Sequence, residues 1–334
     1  MNPTNDNFYM NLTNTTNSGF IEEKPQTSIV PIIVFLILGT LGNGLVLFLL
    51  YRFSGEHKWR PFYRFVMALA INDFFGVALS APFGIVRYAS DFTFTFSHSL
   101  CDYMAFIQMF AILNSAGVVL SMSLDRFIAI VFPLKYSVSA KERRAHLLLM
   151  FGGALSLLLS TVPHLAGRHS RIFYPGTWCF VDFKSDAWVD RGISLTYAFA
   201  GFIILCLVAF LNISVIITLV RQHCLTGNER KQQKTISKKS KQMIAFLFAI
   251  VVLFAVCFIP LLINVFARPL RILQGMENFE VLGLRLAYVN FVLNPWLYIL
   301  LRKETLAILQ RFPCMRQCCQ AKSQNKNSTE SVSL

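Results

Sequence analysis

The sequence predicts an all-α membrane protein, a bundle of seven transmembrane helices, and three observations lead there. First, 55% of the 334 residues are hydrophobic and only 14% are charged, whereas soluble domains carry about 25% charged residues, so most of the surface cannot face water. Second, apolar runs bounded by charged or turn-forming residues lie at about 28–51, 62–88, 101–131, 145–166, 192–221, 242–267 and 280–301. Each is near the roughly 20 residues that cross a hydrocarbon core. Third, basic residues crowd alternate loops: Arg52, Lys58 and Arg60 after span 1, Lys135, Lys141, Arg143 and Arg144 after span 3, and Arg230, Lys231, Lys234, Lys238, Lys239 and Lys241 after span 5. Loops rich in Lys and Arg stay cytoplasmic, which puts the N-terminus outside.

The chain then divides into an extracellular tail (1–27), the bundle (28–301), a short amphipathic eighth helix (302–313) and a cytoplasmic tail (314–334). The first 27 residues are polar with no apolar h-region, so the first span is expected to direct insertion itself. Asn11-Leu12-Thr13 and Asn14-Thr15-Thr16 read as glycan acceptors, whereas Asn212-Ile213-Ser214 lies inside span 5. Net charge +14 follows from the cytoplasmic loops; no aromatic-basic module for nucleic acid is present. No internal repeat favours a membrane transporter, and no paired aspartates, His cluster or Ser/His pair in the spans favours an enzyme.

Ionisable residues at membrane depth are costly and usually functional. Here they are Asp73 in span 2, Asp125-Arg126 at the inner end of span 3, and Arg285 in span 7. Pro260 and Pro295 each interrupt a helical hydrogen-bond ladder and permit a kink. Together with Gly42-Asn43 in span 1 and Asn294-Pro295-Trp296-Leu297-Tyr298 in span 7, these residues resemble the rhodopsin-like G protein-coupled receptors span by span, over residues 28–313. The resemblance implies a plasma-membrane receptor with a heterotrimeric G protein as partner, and arrestin and receptor kinases acting on a tail that holds Ser328, Thr329 and Ser331.

It also assigns roles. Asp73, Ser115, Asn290 and Asn294 would surround a hydrated cavity able to hold a sodium ion, or else form only a polar interhelical network; all four suit a hard cation. Asp125-Arg126-Phe127 stands where the family has Asp/Glu-Arg-Tyr, so Arg126 would pair with Asp125 at rest and swing to the G protein. Cys257-Phe258-Ile259-Pro260 is similar to the family's Cys-Trp-x-Pro hinge, with Phe258 for Trp, and Tyr298 would move inward on activation. Cys101 opens span 3 on the oxidising side, and Cys179 lies in the outer loop before span 5, where a disulfide is stable. Cys206 and Cys257 are expected to pack within spans, and Cys314, Cys318 and Cys319 are candidates for palmitoylation, anchored against membrane lipids.

For the ligand, Gln108 stands seven residues after Cys101, where amine receptors have aspartate, so a cationic amine fits poorly. Arg285, ten residues before Pro295, lies about 15 Å outward of it; a guanidinium there wants a carboxylate. That acid is either a ligand's or an internal one, although Glu280 and Asp91 read as nearer the rim. Tyr174-Pro175-Gly176-Thr177-Trp178-Cys179-Phe180 and the stretch from Leu284-Arg285 to Arg302-Lys303 resemble prostanoid receptors, prostaglandin E receptors in wording. This resemblance implies that Arg285, Thr177 and Tyr88 hold a ligand carboxylate beside Trp178, and the acyl chains are expected between spans 3, 6 and 7; Tyr288 departs from the family, where a small serine is common, and its bulk would shorten the cavity. Prostaglandin E2 with a rise in cyclic AMP is the expectation, and another oxygenated fatty acid or a small organic acid is the alternative. Departures from the prostanoid pattern are Asn294 for Asp, Asp125 for Glu, and no tryptophan in span 4.

Overall fold

The computed structural model describes residues 28–52, 61–133, 140–225, 232–272 and 276–301. Seven helices follow in order: α1 Val30–Arg52, α2 Pro61–Ala89, α3 His98–Val131, α4 Ala140–Leu165, α5 Trp188–Leu225, α6 Gln232–Ala267 and α7 Glu277–Leu301. Between α4 and α5 a small antiparallel hairpin pairs β1 Arg171–Phe173 with β2 Trp178–Phe180. Helices are the outcome that lipid dictates, because a spanning segment must satisfy its backbone groups internally. Six of the seven are long and apolar enough to cross a membrane by length and composition. The remaining one, α7, carries Arg285, Asn290 and Asn294 in the same stretch.

Burial sorts the helices. In α3, 61% of the spanning window is buried, against 17% in α4 and 28% in α1, so α3 is the central post and α4 a peripheral helix. Leu41, Phe48, Met150, Phe151, Ile203 and Phe210 point outward, as side chains facing lipid do. Ser97 caps α3, accepting from Leu100 N at 3.2 Å. Asn43 donates to the carbonyls of Gly39 at 2.9 Å and Phe291 at 3.0 Å, tying α1 to α7. Asn212 is buried and donates to Ser123 Oγ at 2.8 Å, so the third sequon belongs to the α3–α5 contact. Of the two span cysteines, Cys257 is buried as expected, but Cys206 is exposed on the outside of α5; the apolar run around it faces lipid there rather than a neighbouring helix.

Prolines sit inside α2, α4, α6 and α7 at Pro82, Pro163, Pro260 and Pro295. Next to Pro260, α6 and α7 touch at backbone distance. A Cβ on Gly283 would come within 3.1 Å of Leu261 N and Cα, so a side chain there crowds the α6 backbone. Asn11, Asn14, the segment 302–313, Cys314, Cys318 and Cys319 lie outside the described residues, as do Lys58, Arg60, Lys135, Arg230 and Lys231.

Candidate ligand-binding site

The hairpin closes the outer mouth of the bundle. A disulfide joins Cys101 at the top of α3 to Cys179 on β2, and the hairpin's register is Arg171↔Phe180, Ile172↔Cys179 and Phe173↔Trp178. Phe173 stacks on Trp178 at 4.9 Å and on Phe183 at 4.4 Å between ring centroids. Trp178 Nε1 donates to Tyr174 O at 2.8 Å. The turn holds Gly176 at φ 90°, a backbone region that side chains with a Cβ rarely occupy. Thr177 then descends onto α2, where a Cβ on Gly84 would meet Thr177 O at 3.1 Å.

Under this lid lies a partly open cavity. Its outer part is framed by Arg285, Tyr88, Thr177 and Trp178, and its inner part by Tyr288, Ser80 and Gln108, with Ile32 and Phe35 from α1 and Met104 from α3 as apolar wall. The five residues expected to bind ligand thus face one space. That space opens between α1, α2, α3 and α7, and no described α6 residue lines it, whereas the acyl chains were expected between spans 3, 6 and 7. A separate cavity between α3, α5 and α6 holds Phe258 in its wall. The Ser80 hydroxyl donates to Gly76 O at 2.5 Å, so the Tyr288 hydroxyl 2.6 Å away is the donor to Ser80 Oγ. Tyr288 also stacks on Phe35 at 6.0 Å, which fixes the inner end of the cavity. Sequence reasoning missed Ser80, Phe35 and Ile32, and read Gln108 only as a missing aspartate.

The charges around the mouth are allocated, with one exception. Glu280, fully buried, takes Arg268 at 2.6 Å and Lys184 at 2.9 Å. Asp186 takes Arg191 at 2.6 Å and Arg271 at 2.7 Å, and its carboxyl is held below its ordinary value by Arg271 first and Arg191 second. Arg168 reaches Asp190 at 2.7 and 2.5 Å; that hydrogen bonding raises the guanidinium's pKa. Burial pushes the Asp182 carboxyl up against the pull of Arg171 at 3.7 Å. Arg87 donates to Phe94 O and lies over the rings of Phe92 and Phe96. Among the described residues of the outer half, Arg285 alone among the cations has neither an ion pair nor a hydrogen bond. The internal acid weighed for it, Glu280, is engaged elsewhere, and a guanidinium in an apolar wall is stabilised by an anion.

Deeper in the bundle, Asp73 is fully buried and accepts from Asn294 at 2.7 Å and Asn72 at 3.1 Å. Asn294 also donates to Asn290 Oδ1 at 3.1 Å, and buried Ser115 Oγ has no hydrogen-bond partner. An amide chain that sequence reading missed extends this network: Asn114 donates to Asn72 Oδ1 at 2.9 Å, and Asn72 to Ala111 O at 2.9 Å. At the inner end of α3, Arg126 pairs with Asp125 at 3.3 Å and lies 5.4 Å over the Phe62 ring. Phe62 also stacks on buried Tyr298 at 6.4 Å, and Phe258 packs on Phe254 at 4.7 Å.

Residues 42–298 match the model of the 7 transmembrane receptor (rhodopsin family). The chain is 29% identical over 328 residues to the prostaglandin E2 receptor EP4 subtype of Homo sapiens, covering 86% of this chain and 67% of that receptor. It is 29% identical over 320 residues to the prostaglandin F2-alpha receptor of Bos taurus, covering 92% and 85%. Squid rhodopsin superposes with a TM-score of 0.73 at 20% identity, over 87% of this chain and 85% of that one. These relatives bear out the resemblance to prostanoid receptors carried by the outer-loop and span 7 motifs.

Proposed function

We propose, for a chain that belongs to the rhodopsin family of seven-transmembrane receptors and is therefore a multi-pass receptor of the plasma membrane and not an enzyme, that its ligand is a prostanoid carboxylic acid. Prostaglandin E2 is the ligand favoured. The observation that carries this reading is the guanidinium of Arg285, without a protein partner among the described residues, in the wall of a mainly apolar cavity. The acid docks on Arg285 with Tyr88 and Thr177 beside it, and the hydrocarbon occupies the space against Ile32, Phe35 and Met104. A small organic acid would satisfy Arg285 but leave that apolar volume unfilled; burial of hydrocarbon contributes roughly 25 cal/mol per Å², so the long acid binds tighter. Similarity to the prostaglandin E2 and F2-alpha receptors adds support.

The signal passes to a heterotrimeric G protein, with a rise in cyclic AMP favoured, as α6 pivots at Pro260, α7 adjusts at Pro295 and Tyr298, and Arg126 leaves Asp125. An ion pair of this kind is a suitable bistable element. Asp73, Ser115, Asn290 and Asn294 would hold a sodium ion, whose charge offsets the buried carboxylate; the unpartnered Ser115 oxygen and the carboxylate without a cation among the described residues fit that role. Arrestin, receptor kinases and palmitoylation of Cys314, Cys318 and Cys319 complete the reading.

The test is a cyclic AMP and calcium readout in transfected cells against a panel of prostaglandins, alongside Arg285→Ala. Nanomolar to micromolar responses to one or more prostaglandins, lost or weakened in the variant, are expected. Silence across the panel, or a variant with unchanged potencies, contradicts the reading.

A further inference from the structure

The other amides inside the bundle have their nitrogens engaged: Asn43 donates to Gly39 and Phe291, Asn212 to Ser123 and Val208, and Asn264 to Pro260 and Phe279, although the buried oxygens of Asn43 and Asn264 have no hydrogen-bond partner. Gln108 is different. It is 3% exposed, neither its Oε1 nor its nitrogen has a hydrogen bond among the described residues, and its side chain lines the same cavity as Arg285. A carboxamide left unsatisfied in an apolar wall lowers stability, so its presence needs a partner that the protein does not supply. Gln108 lies ten residues into α3 from His98, about 15 Å from the helix's outer end. Ser80 and Tyr288, which face the same inner part, are closed on each other. The carboxamide is therefore, with Arg285, a polar group of the cavity wall left without a hydrogen bond among the described residues. A hydroxyl is the group that serves both faces of a carboxamide, donating to the oxygen and accepting from the nitrogen.

We propose that Gln108 is a specificity-determining residue that binds a hydroxyl on the ligand's carbon skeleton, so that the receptor selects hydroxylated lipid acids over unsubstituted fatty acids. This rests on the reading of Arg285 as the carboxylate anchor.

The experiment is competition binding on the full-length receptor in membranes. The probes are prostaglandin E2 and two analogues, each lacking one of its hydroxyls, and the receptors are wild type, Gln108→Met and Arg285→Ala. The melting temperature of ligand-free wild type and Gln108→Met is measured in parallel. Gln108→Met is expected to weaken prostaglandin E2 about 10-fold and to leave one deoxy analogue unchanged, because that analogue has already lost the contact. Ligand-free Gln108→Met melts no lower than wild type, since an unsatisfied buried amide is removed. Equal weakening of all three ligands, no weakening of any, or a lower melting temperature overturns the hydroxyl contact. Arg285→Ala separates the two ideas: if it binds like wild type, or if prostaglandin E2 does not bind at all, the carboxylate anchor fails and the hydroxyl contact fails with it. If Arg285→Ala is weakened while Gln108→Met is silent, only the hydroxyl contact fails.

Discussion

Arg285 shows how much one side chain can carry when its neighbours are accounted for. Every other described cation of the outer half has a partner: Glu280 for Arg268 and Lys184, Asp186 for Arg191 and Arg271, Asp190 for Arg168. Removing a charge-assisted contact costs about 1.5–3 kcal/mol, so Arg285→Ala is expected to lower prostanoid affinity roughly 10- to 150-fold. Arg285→Lys keeps the charge but not the planar fork, and competition binding is expected to rank it between wild type and alanine. Asp73→Asn is expected to abolish any sodium dependence of agonist affinity, measured with sodium replaced by N-methylglucamine; retained dependence counts against the four-residue sodium site. Arg285 was legible in the sequence because a charge within an apolar run is expensive and needs a reason. Ser80 and Gln108 were not. Small polar residues in helices commonly bond their own preceding turn, as Ser156 does to Gly152 O and Thr196 to Gly192 O, so an uncharged polar residue in a span does not announce which way it faces.

Among the elements, the outer ends of α6 and α7 are clasped through buried Glu280, with Arg268 only 7% exposed and Lys184 reaching in from the loop after β2. Breaking a buried pair from one side leaves uncompensated charge, so Glu280→Gln is expected to cost about 3 kcal/mol, read as a lower melting temperature of the ligand-free receptor. Gly283→Ala pushes against the α6 backbone at Leu261 and is expected to cost about 1–3 kcal/mol; a variant that melts like wild type would show that the helices separate freely there. The apolar runs located all seven helices but not their lengths. α5 continues to Leu225 and α6 begins at Gln232, whereas the runs stop at 221 and start at 242. Hydropathy reads the thickness of lipid, and a helix that continues through polar residues such as Gln232, Lys234 and Lys238 leaves no apolar trace. The hairpin lid was visible as a motif, yet its strands of three residues each are too short for an alternating pattern to register.

At the scale of the whole molecule, order along the chain was readable and adjacency was not. The sequence placed Arg285 in the outer half of span 7, but a helix carries side chains all round. Whether Arg285 looks toward α6 or toward α1 and α2 depends on how the bundle is rotated, which packing at Gly84, Gly283 and Asn43 decides. The resulting cavity joins α1, α2, α3 and α7 under the hairpin, while Phe258 and Pro260 belong to the α6 side of the bundle. The proposed ligand contact and the proposed hinge are thus neighbours through α7 and α3 rather than one site. The most direct test of the carboxylate anchor is a thermodynamic cycle on the full-length receptor, with prostaglandin E2 and its uncharged primary amide as competitors against wild type and Arg285→Ala. The account predicts that the acid outcompetes the amide by about 10-fold or more on wild type, and that the two become equivalent on Arg285→Ala. An acid that keeps its full advantage over the amide when Arg285 is gone would contradict it.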